Sequence, residues 1–469
     1  LTLSGVVSGT GFNLTKDGSG TLTLTGTNTY TGSTTVSAGT LALNSSAGTA
    51  LADGSAVSVA SGATLSLVSA TETIGALSGA GTVALGANAL TVSQTTSTTL
   101  SGTITGSGTL TKAGSGSLTL SGTNSGATWA STVSGGTLTV STAANIGSGA
   151  LTLDGGIFNV TNTTGRTSAD GTGSGVYNVF FNDVVIGSGG GTISGNNPAL
   201  KGALSGTGTL TANVLGIWNA SGYSGNITLN ASGQLEAFGT SGFGSGAITA
   251  NASSTIWIAG SSRTFGNNIV LAGNASIRSD NDATVLVSGA AFTFSGTISE
   301  SGGARTLTIT NDDSSNAFVL SGTNSYSGTT TISASSKVSV SANANLGSGS
   351  SVSMGAGATL DITGSGTTIS KAVALSGAGT LSVGSGATAT LSGVVSGSYA
   401  LTKSGTGSLT LSGSNSYTGT TTISAGTLVA GSNSALGTTA GGTMVSSGAT
   451  LAVGSGITLA ENLTVSGTG

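Results

Sequence analysis

Leu401-Thr402-Lys403-Ser404-Gly405-Thr406-Gly407-Ser408-Leu409-Thr410-Leu411-Ser412-Gly413-Ser414-Asn415-Ser416-Tyr417-Thr418-Gly419-Thr420-Thr421-Thr422-Ile423-Ser424-Ala425-Gly426-Thr427-Leu428 is the stretch on which the reading of this chain turns. Leu409 and Leu411 alternate with Ser408, Thr410 and Ser412, and a period of two specifies a strand with one buried face. Glycines break each strand after a few residues. No apolar stripe at i, i+3, i+4 exists, and the abundant β-branched threonine and valine disfavour helix.

The block recurs from Leu14 and from Leu110. Weaker copies open at Leu210, passing through Gly222-Tyr223-Ser224-Gly225, and at Leu307, passing through Asn324-Ser325-Tyr326-Ser327-Gly328. The five starts lie 96, 100, 97 and 94 residues apart, which predicts about five super-repeats of ~96 residues. A finer beat runs within the first of them. Leu22, Leu41, Leu65, Val83, Leu100 and Leu118 sit in glycine-flanked strands at intervals of 17 to 24 residues. Such intervals are too short and uniform for a Greek-key sandwich, and a propeller blade needs about 40 residues. The pattern predicts an all-β, right-handed parallel β-helix, one continuous segment over residues 1–469, with one coil per ~19 residues and about 24 coils. Leu22, Leu24, Leu41 and Leu43, and one period on Leu118, Leu120, Leu138 and Val140, are its predicted inward stack.

Composition narrows the function. Of 469 residues, 83 are glycine and one, Pro198, is proline. Charged residues make up 5 %, against about 25 % in ordinary soluble domains. A hydrophobic share of 36 % and a mean hydropathy of +0.33 exclude a disordered linker. No apolar run of about 18 residues spans a membrane as a helix. Histidine and cysteine are absent, which removes disulfides, thiolate and histidine metal sites, Ser-His-Asp triads and Cys-His dyads. Ten Lys and Arg against fourteen Asp and Glu leave a net charge of −4 and no basic footprint for nucleic acid. Gly187–Gly191 lacks a following Lys-Ser/Thr, so no nucleotide loop is indicated, and no cofactor is expected. The opening Leu1-Thr2-Leu3-Ser4 has neither methionine nor a basic leader, so the chain reads as a segment of something longer.

Residues Leu401–Leu428, Leu14–Leu43 and Leu110–Val140, the last with Trp129 near the position of the tyrosine, resemble the autotransporter-associated β-strand repeat. The resemblance implies type V secretion, a right-handed parallel β-helix passenger exposed outside the bacterial outer membrane, and a C-terminal outer-membrane barrel beyond this segment. It implies a place and a shape more than a biochemical activity.

Residues that could carry chemistry are few. Lys16, Lys112 and Lys403 recur once per long period, either as a ladder for acidic polysaccharide or, the favoured reading, as turn charges for solubility. Tyr30, Tyr223, Tyr326 and Tyr417 recur between Asn or Ser and Gly, either as a carbohydrate-stacking row or as turn covers. Thr21, Thr23 and Thr25, or Thr420, Thr421 and Thr422, resemble ice-binding rows, but the pattern returns once per long period where an ice face needs it in every coil. Acidic residues concentrate at Asp280 and Asp282 near Arg278, and at Asp312 and Asp313 near Arg305. Segment 163–185 departs most from the repeat. Its Arg166, Asp170, Tyr177, Phe180, Phe181 and Asp183 are the candidate partner contact. The chain is therefore expected to be a non-catalytic extracellular solenoid, a stalk, fibre or adhesin on a bacterial cell. A glycan- or ice-binding module and a polysaccharide-cleaving β-helix are the alternatives. Open coil ends and a nearly uncharged surface predict self-association end to end or side by side, and surface glycans are the expected external partners.

Overall fold

The computed structural model describes residues 1–69, 71–162, 177–239, 241–279, 288–349 and 351–466. Among them the chain forms 50 strands and two short 3₁₀ turns, Ala143–Asn145 and Asn343–Leu346. The strands pair in parallel, each with its counterpart one coil away, which makes the fold a β-solenoid of about 21 turns. Contacts divide it into two compact units, one of residues Leu1–Thr228 with Ser241–Ser245, the other of Leu229–Thr240 with Gly246–Gly469.

In the first unit three columns of strands rise together. One runs Leu14–Lys16, Thr34–Val36, Val57–Val59, Leu77–Gly79, Thr98–Leu100, Ser117–Leu120. A second runs Thr21–Leu24, Thr40–Leu43, Thr64–Leu67, Thr82–Gly86, Ile104–Gly106. The third runs Glu72–Ile74, Ala89–Ser93, Thr109–Ala113, Ala130–Val133, Leu151–Leu153. Alternation aims one side chain in two inward, so like residues stack: Leu22 on Leu41 on Leu65, and Leu118 on Leu138 on Phe158. Of the expected inward set, Leu24, Leu41, Leu43, Leu118, Leu120, Leu138 and Val140 are buried and Leu22 is half-buried.

The finer beat needs correction at one step. Val83 pairs with Ile104, not with Leu100, which belongs to the first column beside Gly79 and Leu120. Paired residues lie 18 to 24 apart in regular coils, so the chain makes fewer turns than a 19-residue coil predicts. Coils lengthen at two places. Phe158 pairs with Ile193, 35 residues on, and Ile277 pairs with Ile309, 32 residues on.

The long period is not a whole number of coils. Four coils above Leu14–Lys16 comes Thr98–Leu100, and the second copy of the motif, Thr109–Ala113, follows two strands later in the third column. The second unit is out of phase as well, but by one strand rather than two. Four coils after Leu307–Thr310 comes Val395–Gly397, and the next copy, Leu401–Ser404, opens in the neighbouring column. The core of that unit includes paired rings, Phe265 stacked on Phe294 at 5.1 Å and Phe292 tilted against Phe318 at 5.6 Å.

Candidate functional site

The repeated lysines are not surface charges, so both sequence readings of them fail. Lys16, Lys112 and Lys403 are buried. Each Nζ donates three hydrogen bonds to backbone carbonyls. Lys112 reaches Ala113 O at 2.6 Å, Gly114 O at 3.0 Å and, one coil on, Gly135 O at 3.1 Å. Lys16 holds Asp17, Gly18 and Ala38 in the same way, and Lys403 holds Ser404, Gly405 and Ala425. A buried charge is tolerable only when its donors are met, and here the turn's spare carbonyls meet all three. Burial lowers the Lys112 pKa and pushes that of Lys403 down to about 8. The turn that closes the lysine site ends on Gly136, whose φ of +59° favours glycine. A Cβ there would stand 2.3 Å from Gly116 O and 2.8 Å from Lys112 Nζ.

The tyrosines also point inward. Tyr30, Tyr326 and Tyr417 are buried, and each hydroxyl meets the Oγ1 of a threonine four residues on, Thr34, Thr330 or Thr421, at 2.6 Å. Tyr223 is buried with a different partner set, donating to Gly208 O or Asn226 O and accepting from Leu210 N. Trp129 takes the tyrosine's place in the second copy. Its indole donates to Ile104 O at 3.2 Å, and Gly147 lies against its ring as Gly347 and Gly437 lie against those of Tyr326 and Tyr417. A carbohydrate-stacking row of these tyrosines is thereby excluded.

Sequence reasoning missed the asparagines. Asn28, Asn124, Asn324 and Asn415 are buried just before the tyrosine position. Each Oδ1 accepts a backbone N–H from the coil below, and each Nδ2 donates to a carbonyl of the coil above. One side chain thus pins three coils. The available signal was an asparagine at a fixed offset inside a strand-rich repeat, two residues before the tyrosine in three of the copies. Glu72 is a buried acid of the same kind, its two oxygens accepting from Leu51 N at 2.7 Å and Ala50 N at 3.3 Å. Burial pushes its pKa up to about 7.

The candidate contact segment separates into parts. Arg166 and Asp170 lie outside the described residues, as do Asp280 and Asp282. Tyr177 is half-buried. Phe180 faces the core and meets Phe158 edge-on at 5.2 Å, so it is not a surface contact. Phe181 is 69 % exposed. Asp183 Oδ1 accepts Ala203 N at 2.9 Å. Phe181 borders a cleft of about 320 Å³ whose lining includes Ser125, Ala144, Ile146 and Ser148. Two residues absent from the sequence reading lie near Phe181, outside the cleft lining: Lys201 Nζ lies 5.4 Å from the Phe181 ring and 5.8 Å from the Trp218 ring.

A second aromatic-cationic cluster occupies the other unit. Glu236, Trp257 and Arg278 are in register on consecutive strands. The guanidinium lies 4.6 Å from the Trp257 ring and pairs with Asp312 at 2.9 Å. Asp312 therefore partners Arg278 and not Arg305, whose guanidinium donates to Ser301 O and Gly302 O. Asp313 caps its own turn through Ser315, which holds its carboxyl below the usual range. Arg278 and Asp312 satisfy one another, while the buried Trp257 indole N–H has no hydrogen-bond acceptor among the described residues. Among the described residues no three acidic side chains gather as a metal-holding group.

Comparison with known families places the repeat. Residues 14–43, 110–140, 315–334 and 401–430, about a quarter of the chain, match the family model of the passenger-associated-transport-repeat. The copy opening at Leu210 is not among the matched segments, in keeping with its different tyrosine contacts. No curated protein and no solved structure matches the chain.

Proposed function

As a repeat protein of the autotransporter-passenger kind, the chain is, we propose, a non-catalytic structural and adhesive segment, exported across a bacterial outer membrane and displayed as part of a stalk, fibre or adhesin. The observation that supports this reading is the direction in which the repeat spends its chemistry. Its lysine and asparagine point inward and bind the backbone of neighbouring coils, and its tyrosine turns inward onto a threonine four residues on, so the matched motif holds coils together and offers little to a solute. Its recurrence in different columns adds a second support, because outward residues of successive copies do not gather on one face. In this reading a barrel outside the segment anchors the passenger, and copies of the solenoid associate with one another. The test is surface display. An antibody to this segment should label intact cells that make the full protein, and external protease should remove the label. A segment protected until cells are lysed would overturn the reading, and cleavage of an acidic polysaccharide by the purified chain would overturn its non-catalytic part.

A further inference from the structure

Pro198–Gly206 pairs with Asn178–Phe180 on one side and Leu210–Tyr223 on the other, with Phe180 opposite Leu200 and Leu200 opposite Ile217. These three residues are buried. Their successors, Phe181, Lys201 and Trp218, lie beside one another on three consecutive coils, Phe181 and Lys201 exposed and Trp218 half-buried. Lys201 is the middle member, with a ring on each side.

That setting is unlike those of the other described cations. Lys16, Lys112, Lys371 and Lys403 are buried on backbone carbonyls. Arg278 and Lys337 pair with Asp312 and Asp361. Arg263 and Arg305 donate to carbonyls of their own turns and neighbours. Lys201 is exposed, and its ammonium meets ring faces, which attract a cation while leaving its donors to solvent or a ligand.

We propose that Phe181, Lys201 and Trp218 form a binding site for an acidic glycan lying across three coils, its uronate carboxylate on Lys201 and its sugar faces on the two rings. The coil step is about 4.8 Å, so the rings stand about 10 Å apart with the cation midway. A uronic-acid chain supplies the matching alternation of flat C–H faces and an edge carboxylate. An acidic peptide supplies the carboxylate without two flat apolar faces. The cleft beside Phe181 extends the surface with serine hydroxyls, and its volume lies within the range of small-ligand pockets. The site rests on the extracellular reading above, which puts it among surface glycans.

Calorimetry of the purified chain with oligomers of polygalacturonate, alginate and hyaluronan, and with methyl-esterified polygalacturonate, tests the site. At least one acidic oligomer should bind and weaken as salt rises. Loss of the charged contact, by esterification or by Lys201→Gln, should weaken binding about tenfold. Phe181→Ala should remove binding with thermal unfolding unchanged, because that ring is exposed, and Trp218→Phe should weaken binding while keeping the half-buried ring position filled. Failure of every acidic oligomer to bind, or Lys201→Gln binding as tightly as the parent, would overturn the site. A surface-displayed segment that binds no uronate leaves the display reading standing and the site refuted; uronate binding by a segment that is not displayed does the reverse.

Discussion

In the coil that carries Lys112 the ammonium turns inward and is saturated by Ala113 O, Gly114 O and Gly135 O. In the coil that carries Lys201, within the same unit, the ammonium turns outward and lies between two aromatic rings. The residue type is the same, and the strand position decides the outcome. Lys112 follows Leu110 at a spacing of two and so shares its inward face, with a glycine turn beside it that leaves carbonyls unpaired. Lys201 follows the buried Leu200 directly and is exposed. The core of this solenoid therefore admits a charge wherever the backbone has acceptors to spare, and hydropathy alone does not sort inside from outside.

The sharpest way to break the comparison is to put an inward charge where no donors wait. Leu118 stacks on Thr98 and Leu138, and Leu118→Asp should destabilise the fold by about 3–5 kcal/mol, because its carboxylate is buried unpaired. Melting at the parent temperature would refute the inward assignment. Next in size is Lys112→Met against Lys201→Met. The first leaves three carbonyls without a donor and should cost about 3 kcal/mol, with Lys112→Gln recovering part of it. Gln94 already performs a similar task, donating to Thr96 O and Ser117 O. The second should change chemical denaturation by less than about 0.5 kcal/mol. Equal losses would erase the distinction between the two lysines.

Two smaller effects sharpen it. Glu72 titrates near 7 when folded, above its ordinary 4.5. The unfolded chain therefore ionises first, and the native state loses stability as pH rises from about 4.5 through 7. Relative to wild type, Glu72→Gln should gain melting temperature over that window and hold the gain above it; a difference that is flat between pH 4 and pH 8 would mean that the buried carboxyl ionises normally. Tyr417→Phe should cost about 1 kcal/mol in denaturant unfolding. It removes the 2.6 Å bond to Thr421, whose hydroxyl still reaches Leu436 O. A loss as large as that of Lys112→Met would mean that the ring itself is displaced.

The parallel strands and their inward leucines were legible because a period of two survives in almost every strand. The coil length was not. All three columns use the same Leu-Thr-Leu alternation, so the interval from Val83 to Leu100 looks like the one to Ile104 until the register is known. Of the candidate site, Phe181 was legible by its departure from the repeat. Lys201 and Trp218 were not, because they reach it only through strand pairings one and two coils away. The lysines were misread because a side chain that ends in a charge was assigned to water before its carbonyl partners could be counted.

The offset between the long period and the coil bears on how such a chain can lengthen. A gene segment encoding one period, copied in tandem, returns the motif to a different column each time. A solenoid with one specialised inner wall would reject that insertion, since the duplicated strands would meet unlike neighbours. Here every wall carries the same alternation of inward aliphatic and outward hydroxyl residues, and the motif stands in more than one column, so a duplicated block can be accepted without matching its phase to the turn. Length can then be selected in increments of a repeat, while irregular stretches, such as the coils around Lys201 or the Trp257 and Arg278 pair, are features that duplication of the repeat does not reproduce.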